Sequence, residues 1–499
     1  MTKTDLAVVG SGGAGLVAAL AAARAGLAVT VVESSERLGG TTALSGGLVF
    51  APGNALGAAE GHADSREAVS RYLHAVARVP LDDDALRTFL DTIPKVVDFL
   101  TEAGVPLRTS ALRDYYREAP GAAAYRSIAF QPFDPADLGQ SAETIRVTPY
   151  RPVPAGEPWT NGMAVVGHLV RACQAAGVGF RTGWRATGLE LRDGAVTGVR
   201  GTSAGEATVL RCARGVVLAA GGFEFAPDVL RERVDGTVEG AWSCPANIGD
   251  ALRMAEDAGA AVSGFDVQWY PLLRLRDEIR EGAPLMHDAT PARNLPGSVI
   301  VDARGKRVVN ESALYQEVGR ALSAAQGPYW LVVDDLFRQT YGQRAFGTAE
   351  LSGPHWFCAP SAARLAGLLG MDEIAFEDTL ATFSKAAGEG VDPAFGRGAS
   401  EFDQSWGDGA RSGPQACLGP IDRAPFYATR VYAGCSGTTG GPVIDEQSRV
   451  LSVRGTVIPG LWAAGNAVAN PFGGVAPSSG GTLGPGFSTG YRAGISAAG

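Results

Sequence analysis

Histidine is scarce in this chain, five in 499 residues, and no two stand in a His-x-x-x-His or His-Glu-x-x-His arrangement. A metal hydrolase would lack the spacing by which one helix face gathers its ligands, and no metal site is expected. The six cysteines, Cys173, Cys212, Cys244, Cys358, Cys417 and Cys435, include no Cys-x-x-Cys pair, which removes zinc knuckles and dithiol exchange. Basic blocks are missing too: 43 Lys and Arg against 52 Asp and Glu leave a formal charge of −9 spread along the chain, which offers no track for a phosphate backbone. Nucleic acid is therefore not an expected partner. No apolar run is long enough for a bilayer, because Leu6 to Val9 is short and the alanine-rich run after it is broken by Arg24 and Gly26. The start of the chain has none of the basic segment, apolar core and cleavage site of a secretory leader, so a cytoplasmic location is expected. Repeats and low-complexity segments are absent, and 45% hydrophobic with 19% charged residues is ordinary globular composition. What is abundant is glycine, 68 residues clustered toward both ends, where backbone can approach a ligand closely.

Residues 5–9, DLAVV, read as a short buried parallel strand. The loop GSGGAG then sets Gly10, Gly12 and Gly15 in the G-x-G-x-x-G pattern, with Gly13 and Ala14 between them, and Leu16 to Ala25 continues as a helix that Gly26 ends. A second strand from Leu27 stops on Glu33, next to Ser34, at the distance where a carboxylate accepts both hydroxyls of an adenosine ribose. Free N–H groups and the dipole of the helix start receive the pyrophosphate. FAD rather than NAD is indicated by a second cradle, ERLGGTTALSGG, in which Gly40, Gly46 and Gly47 flank Thr41, Thr42 and Ser45. It reads as a loop that runs its backbone and hydroxyls along a flavin diphosphate. A buried strand in ARGVVLAAGGFEF ends on Ala220, Gly221 and Gly222, and another near the far end runs out on Gly465 and Asn466. A last helix opens at Gly481, Thr482 and Leu483, with its positive end toward the flavin pyrimidine carbonyl. Ala186, Asn247 and Asp250 complete the expected cofactor contacts.

With these pieces in place the sequence resembles the 3-ketosteroid dehydrogenase-like flavoproteins of the fumarate reductase/succinate dehydrogenase flavoprotein superfamily. The resemblance rests on GSGGAG, ERLGGTTALSGG, DYYREAPG (114–121), GKRVVNESALY (305–315), APFYA (424–428), GTTGGPVID (437–445), GLWAAGN (460–466) and GGTLGPG (480–486). They follow the family's order over nearly the whole chain. It implies an FAD-dependent oxidoreductase that introduces, or in reverse reduces, a C=C bond beside the ketone of an apolar cyclic substrate, steroids among the candidates. The fumarate reductase branch carries an arginine just after the corresponding strand, whereas residues 466–481 here hold no charged side chain. A dicarboxylate needs guanidinium forks, so a neutral ketone suits this loop better. An ene-reductase fed by an external donor, or a flavin-binding protein without turnover, stays open. No second G-x-G-x-x-G with a downstream acid exists, so electrons are expected to pass to or from an external carrier.

The same resemblance implies site residues. Tyr315 is the expected base for the proton beside the ketone, Tyr116 or Tyr115 the phenol that supports it, and Gly480 the amide that binds the ketone oxygen. One position departs from the pattern: the family's ketone-binding tyrosine, in TYPGPGGTIGP, aligns with Ala476 in VAPSSGGTLGP. An oxyanion donor is worth about 3 kcal/mol, and a tyrosine, titrating near pH 10, costs roughly 4 kcal/mol to ionise at neutral pH without help. Ser478, Ser479 and Ser436 are candidate replacements for the missing phenol, and Tyr427 and Tyr432 candidate cavity walls.

The expected fold is α/β, a discontinuous Rossmann-type FAD-binding domain with an inserted α+β substrate cap. Its pieces are 1–270 for the first part of the FAD-binding domain, 271–440 for the catalytic cap and 441–499 for the second part. Within them Asp372 to Ala387 reads as a helix, and Ala186 to Gly201 as a hairpin turning at Asp193-Gly194.

Overall fold

The computed structural model describes residues 4–150, 153–154, 156–325 and 327–499. They form two compact units, one of Met1–Val234, Ala246–Val267 and Gly437–Gly499, the other of Asp235–Pro245 and Gln268–Ser436.

The first unit is built on a six-stranded sheet. Its order is Arg449–Leu451, Val457–Ala463, Gly215–Leu218, β1 (Leu6–Val9), β2 (Val29–Val32) and Gly179–Arg181. All neighbours are parallel except Arg449–Leu451, with Val8 opposite Val31 on one side and Val217 on the other. Every residue of β1 and of Gly215–Leu218 is buried, as both-face coverage of a parallel sheet requires. Helix α1 (Gly13–Arg24) leaves the first strand, and the C-terminal helix Leu483–Ala498 packs along it. The two come close because Gly490 and Gly494 face α1: a Cβ on either would overlap the carbonyls of Ala14 and Ala18. The expected hairpin is there, turning at Asp193 (φ 50°) and Gly194 (φ 78°), and a third strand, Glu206–Arg211, extends it to a meander. A small sheet pairs Leu48–Phe50 and Leu107–Ser110 with Ser127–Phe130.

The second unit has a mixed sheet, in which Ser298–Val301 pairs antiparallel with Tyr329–Asp334 and that strand with the first residues of Phe426–Pro442. The segment Asp235–Pro245, which the sequence placed in the FAD-binding part, packs here instead, because Gly240–Ala241 pairs with Gly434 and Cys435. The expected helix runs Glu373–Gly388, capped by Asp372, whose side chain accepts the Ala375 N–H at 2.9 Å. Among the described residues no helix is long and apolar enough to cross a membrane.

Candidate active site

The glycine loop is shaped by close approach. Gly10 sits at φ 105°, where a Cβ would overlap the Ala219 carbonyl, and a Cβ on Gly15 would overlap the carbonyl of Gly10. No side chain caps α1, and the N–H groups of Gly12, Ala14 and Gly15 find no partner among the described residues. In front of Gly12 the space is open, with only the Thr42 hydroxyl near, 3.8 Å from where a Cβ would stand. Open donors at a helix start, with no side chain before them, fit a diphosphate. Glu33 is buried, and its Oε2 accepts the Ser11 N–H (3.1 Å) and hydroxyl (2.6 Å), while Oε1 accepts from the Ser34 hydroxyl (3.2 Å) and the Ser35 N–H (3.0 Å). Ser11 Oγ also accepts the Gly39 N–H at 2.9 Å. A residue the pattern treats as a wildcard thus ties the first cradle to the second.

The second cradle differs from the expected loop. Gly39 (φ 113°) and Gly40 (φ 51°) turn the chain into one helical turn, α2 (Gly40–Leu44), which aims Thr42 Oγ1 at the Gly13 N–H, 2.9 Å away. Ser45 closes that turn by donating to the Thr42 carbonyl (2.7 Å) and accepting the Gly47 N–H (3.1 Å), with Gly46 in open space. Thr41 Oγ1 accepts from Asn247 Nδ2 at 3.1 Å, and that amide also donates to Glu224 Oε1 at 2.7 Å. The other oxygen of Glu224 accepts the hydroxyl and N–H of Thr438 (3.0 and 3.3 Å). Gly221 and Gly222, following Ala220, lie against Asn247 and Thr438 too closely for side chains. Asn247 is a residue the sequence singles out; Glu224 and Thr438, which brace it, are not. The Glu after the glycine pair was a visible signal, but its partner lies more than two hundred residues on.

Two further residues expected to contact the cofactor also serve the fold. Ala186 is buried in the meander opposite Gly201, and the Asp250 carboxylate, pushed up by burial, is held by Arg185 at 2.8 Å. At the far end Gly465 (φ 72°) donates its N–H to Thr489 Oγ1 (3.0 Å) and faces Ala14, with Asn466 following; the Gly481 carbonyl accepts from Asn470 (3.0 Å) just before Thr482 and Leu483, where an uncapped helix begins.

The loop Ala476–Gly480 lies in the same unit as Tyr115 and Tyr116. The Pro477 carbonyl accepts the Tyr115 N–H (3.0 Å) and the Tyr72 hydroxyl, and Ser127 Oγ donates to the Ser479 carbonyl (2.7 Å). Gly480 (φ 86°) has no room for a Cβ, which would stand 2.5 Å from Phe50 N and 2.6 Å from the Leu48 carbonyl oxygen, and its own N–H has no partner among the described residues. Of the candidate donors, Ser479 Oγ is bound to the Tyr115 hydroxyl at 3.1 Å, Ser478 is buried against Asp114, and Ser436 falls in the other unit. Tyr116 is half-buried against the core, its N–H given to the Tyr72 hydroxyl at 3.3 Å.

Tyr315 belongs to the second unit, at the first position of helix Tyr315–Ser323. Its ring stacks on Tyr270 (centroids 4.2 Å, planes 22°), which leans on Trp242 and gives its hydroxyl to Asp288 at 3.4 Å. Leu272, Met286 and Tyr432 complete this cluster, whereas Tyr427 packs into a different core with its hydroxyl on Asp335. The segment leading to Tyr315 is clamped by buried arginines: Arg293 on the carbonyls of Glu311 and Ala313, and Arg397 on Ser312 Oγ (3.0 Å) and Glu311 Oε2 (3.2 Å).

Comparison with known proteins supports FAD as the cofactor. The FAD binding domain family model matches residues 5–483. The chain is 32% identical to the 3-oxosteroid 1-dehydrogenase of Mycobacterium tuberculosis, over 98% of this chain and 97% of that protein. It is likewise 32% identical to the 4-oxocyclohexanecarboxylate 2-dehydrogenase of Sinomonas cyclohexanicum, over 99% and 93%. Among solved structures, the 3-ketosteroid delta1-dehydrogenase from Sterolibacterium denitrificans in complex with 1,4-androstadiene-3,17-dione superposes with a TM-score of 0.88 at 28% identity, covering 100% of both chains.

Proposed function

We propose, from the premise that this chain belongs to the FAD binding domain family, that it desaturates a neutral cyclic ketone beside its carbonyl. It is an FAD-dependent dehydrogenase acting on CH–CH groups. FAD, held by the two cradles and the start of the C-terminal helix, supplies the acceptor for the β hydrogen and its electron pair. The chain's own residues do the rest. The Gly480 N–H receives the ketone oxygen, which acidifies the neighbouring C–H, and Tyr315 removes that α proton. By the family resemblance, Tyr116 or Tyr115 is the phenol that supports Tyr315. Electrons then leave to an external carrier.

The observation that supports this reading best is the loop before the C-terminal helix. From Asn466 to Gly481 it carries no ionisable side chain, and it offers an unpartnered amide at Gly480, an environment for an uncharged carbonyl and not for a dicarboxylate. Anaerobic mixing of the oxidised holoenzyme with a 3-oxosteroid, with 4-oxocyclohexanecarboxylate and with succinate tests it. Bleaching of the flavin by the neutral 3-oxosteroid, with none by succinate, is expected; a flavin that no cyclic ketone bleaches would end the proposal. Tyr315→Phe should slow the bleaching by roughly a hundredfold or more.

A further inference from the structure

The loop that presents Gly480 is pinned at Pro477 and at Ser479 by completed hydrogen bonds, and between them stands one that is not completed. Asp114 is fully buried. Its Oδ2 takes the Arg126 Nη1 at 2.6 Å and the Ala123 N–H at 3.0 Å, while the remaining edge of Arg126 is held by Asp64 at 2.8 and 2.9 Å. Asp114 Oδ1 has no hydrogen-bond partner among the described residues, and neither does Ser478 Oγ, itself 2% exposed. The hydroxyl is near enough to Asp114 to favour its charged carboxylate, yet no hydrogen bond of ordinary geometry joins the two. Two neighbouring buried polar groups left without partners are costly and rare, and call for a reason.

We propose that Asp114 is a positioning residue of the reaction, acting through Ser478 to set where the Gly480 N–H meets the ketone oxygen. The Arg126–Asp64 pair fixes the carboxylate from behind, so Oδ1 is a stationary reference against which the loop is drawn. The unmade bond is the slack that ketone binding takes up: as the oxygen pulls on Gly480, Ser478 closes on Asp114. Binding thereby completes a buried hydrogen bond that the free protein lacks. The inference rests on the proposed role of Gly480 and on nothing assigned to Tyr315.

Titration of the oxidised holoenzyme with 1,4-androstadiene-3,17-dione and with cyclohex-2-enone, read by the flavin absorbance, tests it, since binding an enone needs no proton removal. Ser478→Ala and Asp114→Asn should each weaken binding about tenfold, and the double variant no further than either alone, because the two act as one unit. Ser478→Thr, which keeps the hydroxyl, should recover most of the loss. Ser478→Ala removes no charge and should keep the wild-type FAD content and melting temperature, so that weakened binding is not read from a misfolded protein. Enone affinity unchanged in Ser478→Ala, or losses that simply add in the double variant, would overturn the proposal. If the wild type binds neither enone, the role of Gly480 fails first and this inference with it. A Tyr315→Phe variant that turns over normally but binds enones normally strikes only the base assignment.

Discussion

At the scale of single residues, the chemistry of this protein depends on a few side chains and hydrogens in constrained places. Burial pushes the Asp114 carboxyl up to about 6, with Arg126 opposing the shift. A carboxyl whose folded pKa lies above its unfolded value stabilises the fold fully below the unfolded value, near pH 4, and loses that contribution as the pH rises through about 6. Wild-type stability relative to Asp114→Asn should therefore fall between those two pH values, by on the order of 3 kcal/mol, when urea unfolding of the holoprotein is followed across that range. A flat difference would show that the carboxyl is not desolvated in solution. Gly480 gives a second case. Its φ of 86° and the backbone of Leu48 and Phe50 leave no place for a methyl group, so Gly480→Ala should cost roughly 1–3 kcal/mol and abolish enone binding. Gly388→Ala, at a helix end with open space around it, should do neither, and melting curves with bound FAD separate the two.

At the scale of elements, the strand, glycine turn, helix, strand and acid of the nucleotide site were legible in the sequence because each is encoded locally, by periodicity, by glycine and by one carboxylate. The contacts that position the loop of Gly480 were not. Tyr72 and Pro477, or Asp114 and Ser478, meet across more than three hundred residues, and nothing in DYYREAPG says which of its polar atoms is spent on structure. The second cradle was legible in its residues but not in its shape, because the helical turn Gly40–Leu44 follows from Gly39 and Gly40 adopting positive φ, which the sequence allows but does not require. The pairing of α1 with the C-terminal helix makes a prediction at this scale. Gly490→Leu would force the helices apart where the Ala14 carbonyl now lies against Gly490, and overpacking of this kind costs about 1–3 kcal/mol or more. Because Ala14 stands in the first glycine loop, the variant should also purify with much less FAD than the wild type, as its ratio of flavin to protein absorbance would show.

At the scale of the whole molecule, the discontinuity was readable because nucleotide-binding pieces stand at both ends of the chain. The assignment of Asp235–Pro245 to the second unit was not, since only two of its residues pair in a sheet. A cofactor site assembled from segments so far apart couples occupancy to stability. Removing FAD should lower the unfolding midpoint, and adding it back should raise the midpoint with the logarithm of its free concentration, by about 2.7 kcal/mol at a hundredfold excess over the dissociation constant. A midpoint indifferent to FAD would mean that the folded protein does not bind it in preference to the unfolded chain. The contact between α1 and the helix Leu483–Ala498 also bears on biosynthesis. Nearly the whole described polypeptide is translated between the two, so a chain still on the ribosome carries its first dinucleotide turn without the surface that closes over it. Uptake of the vitamin-derived nucleotide is therefore expected to follow synthesis of that last helix rather than to accompany the first turn.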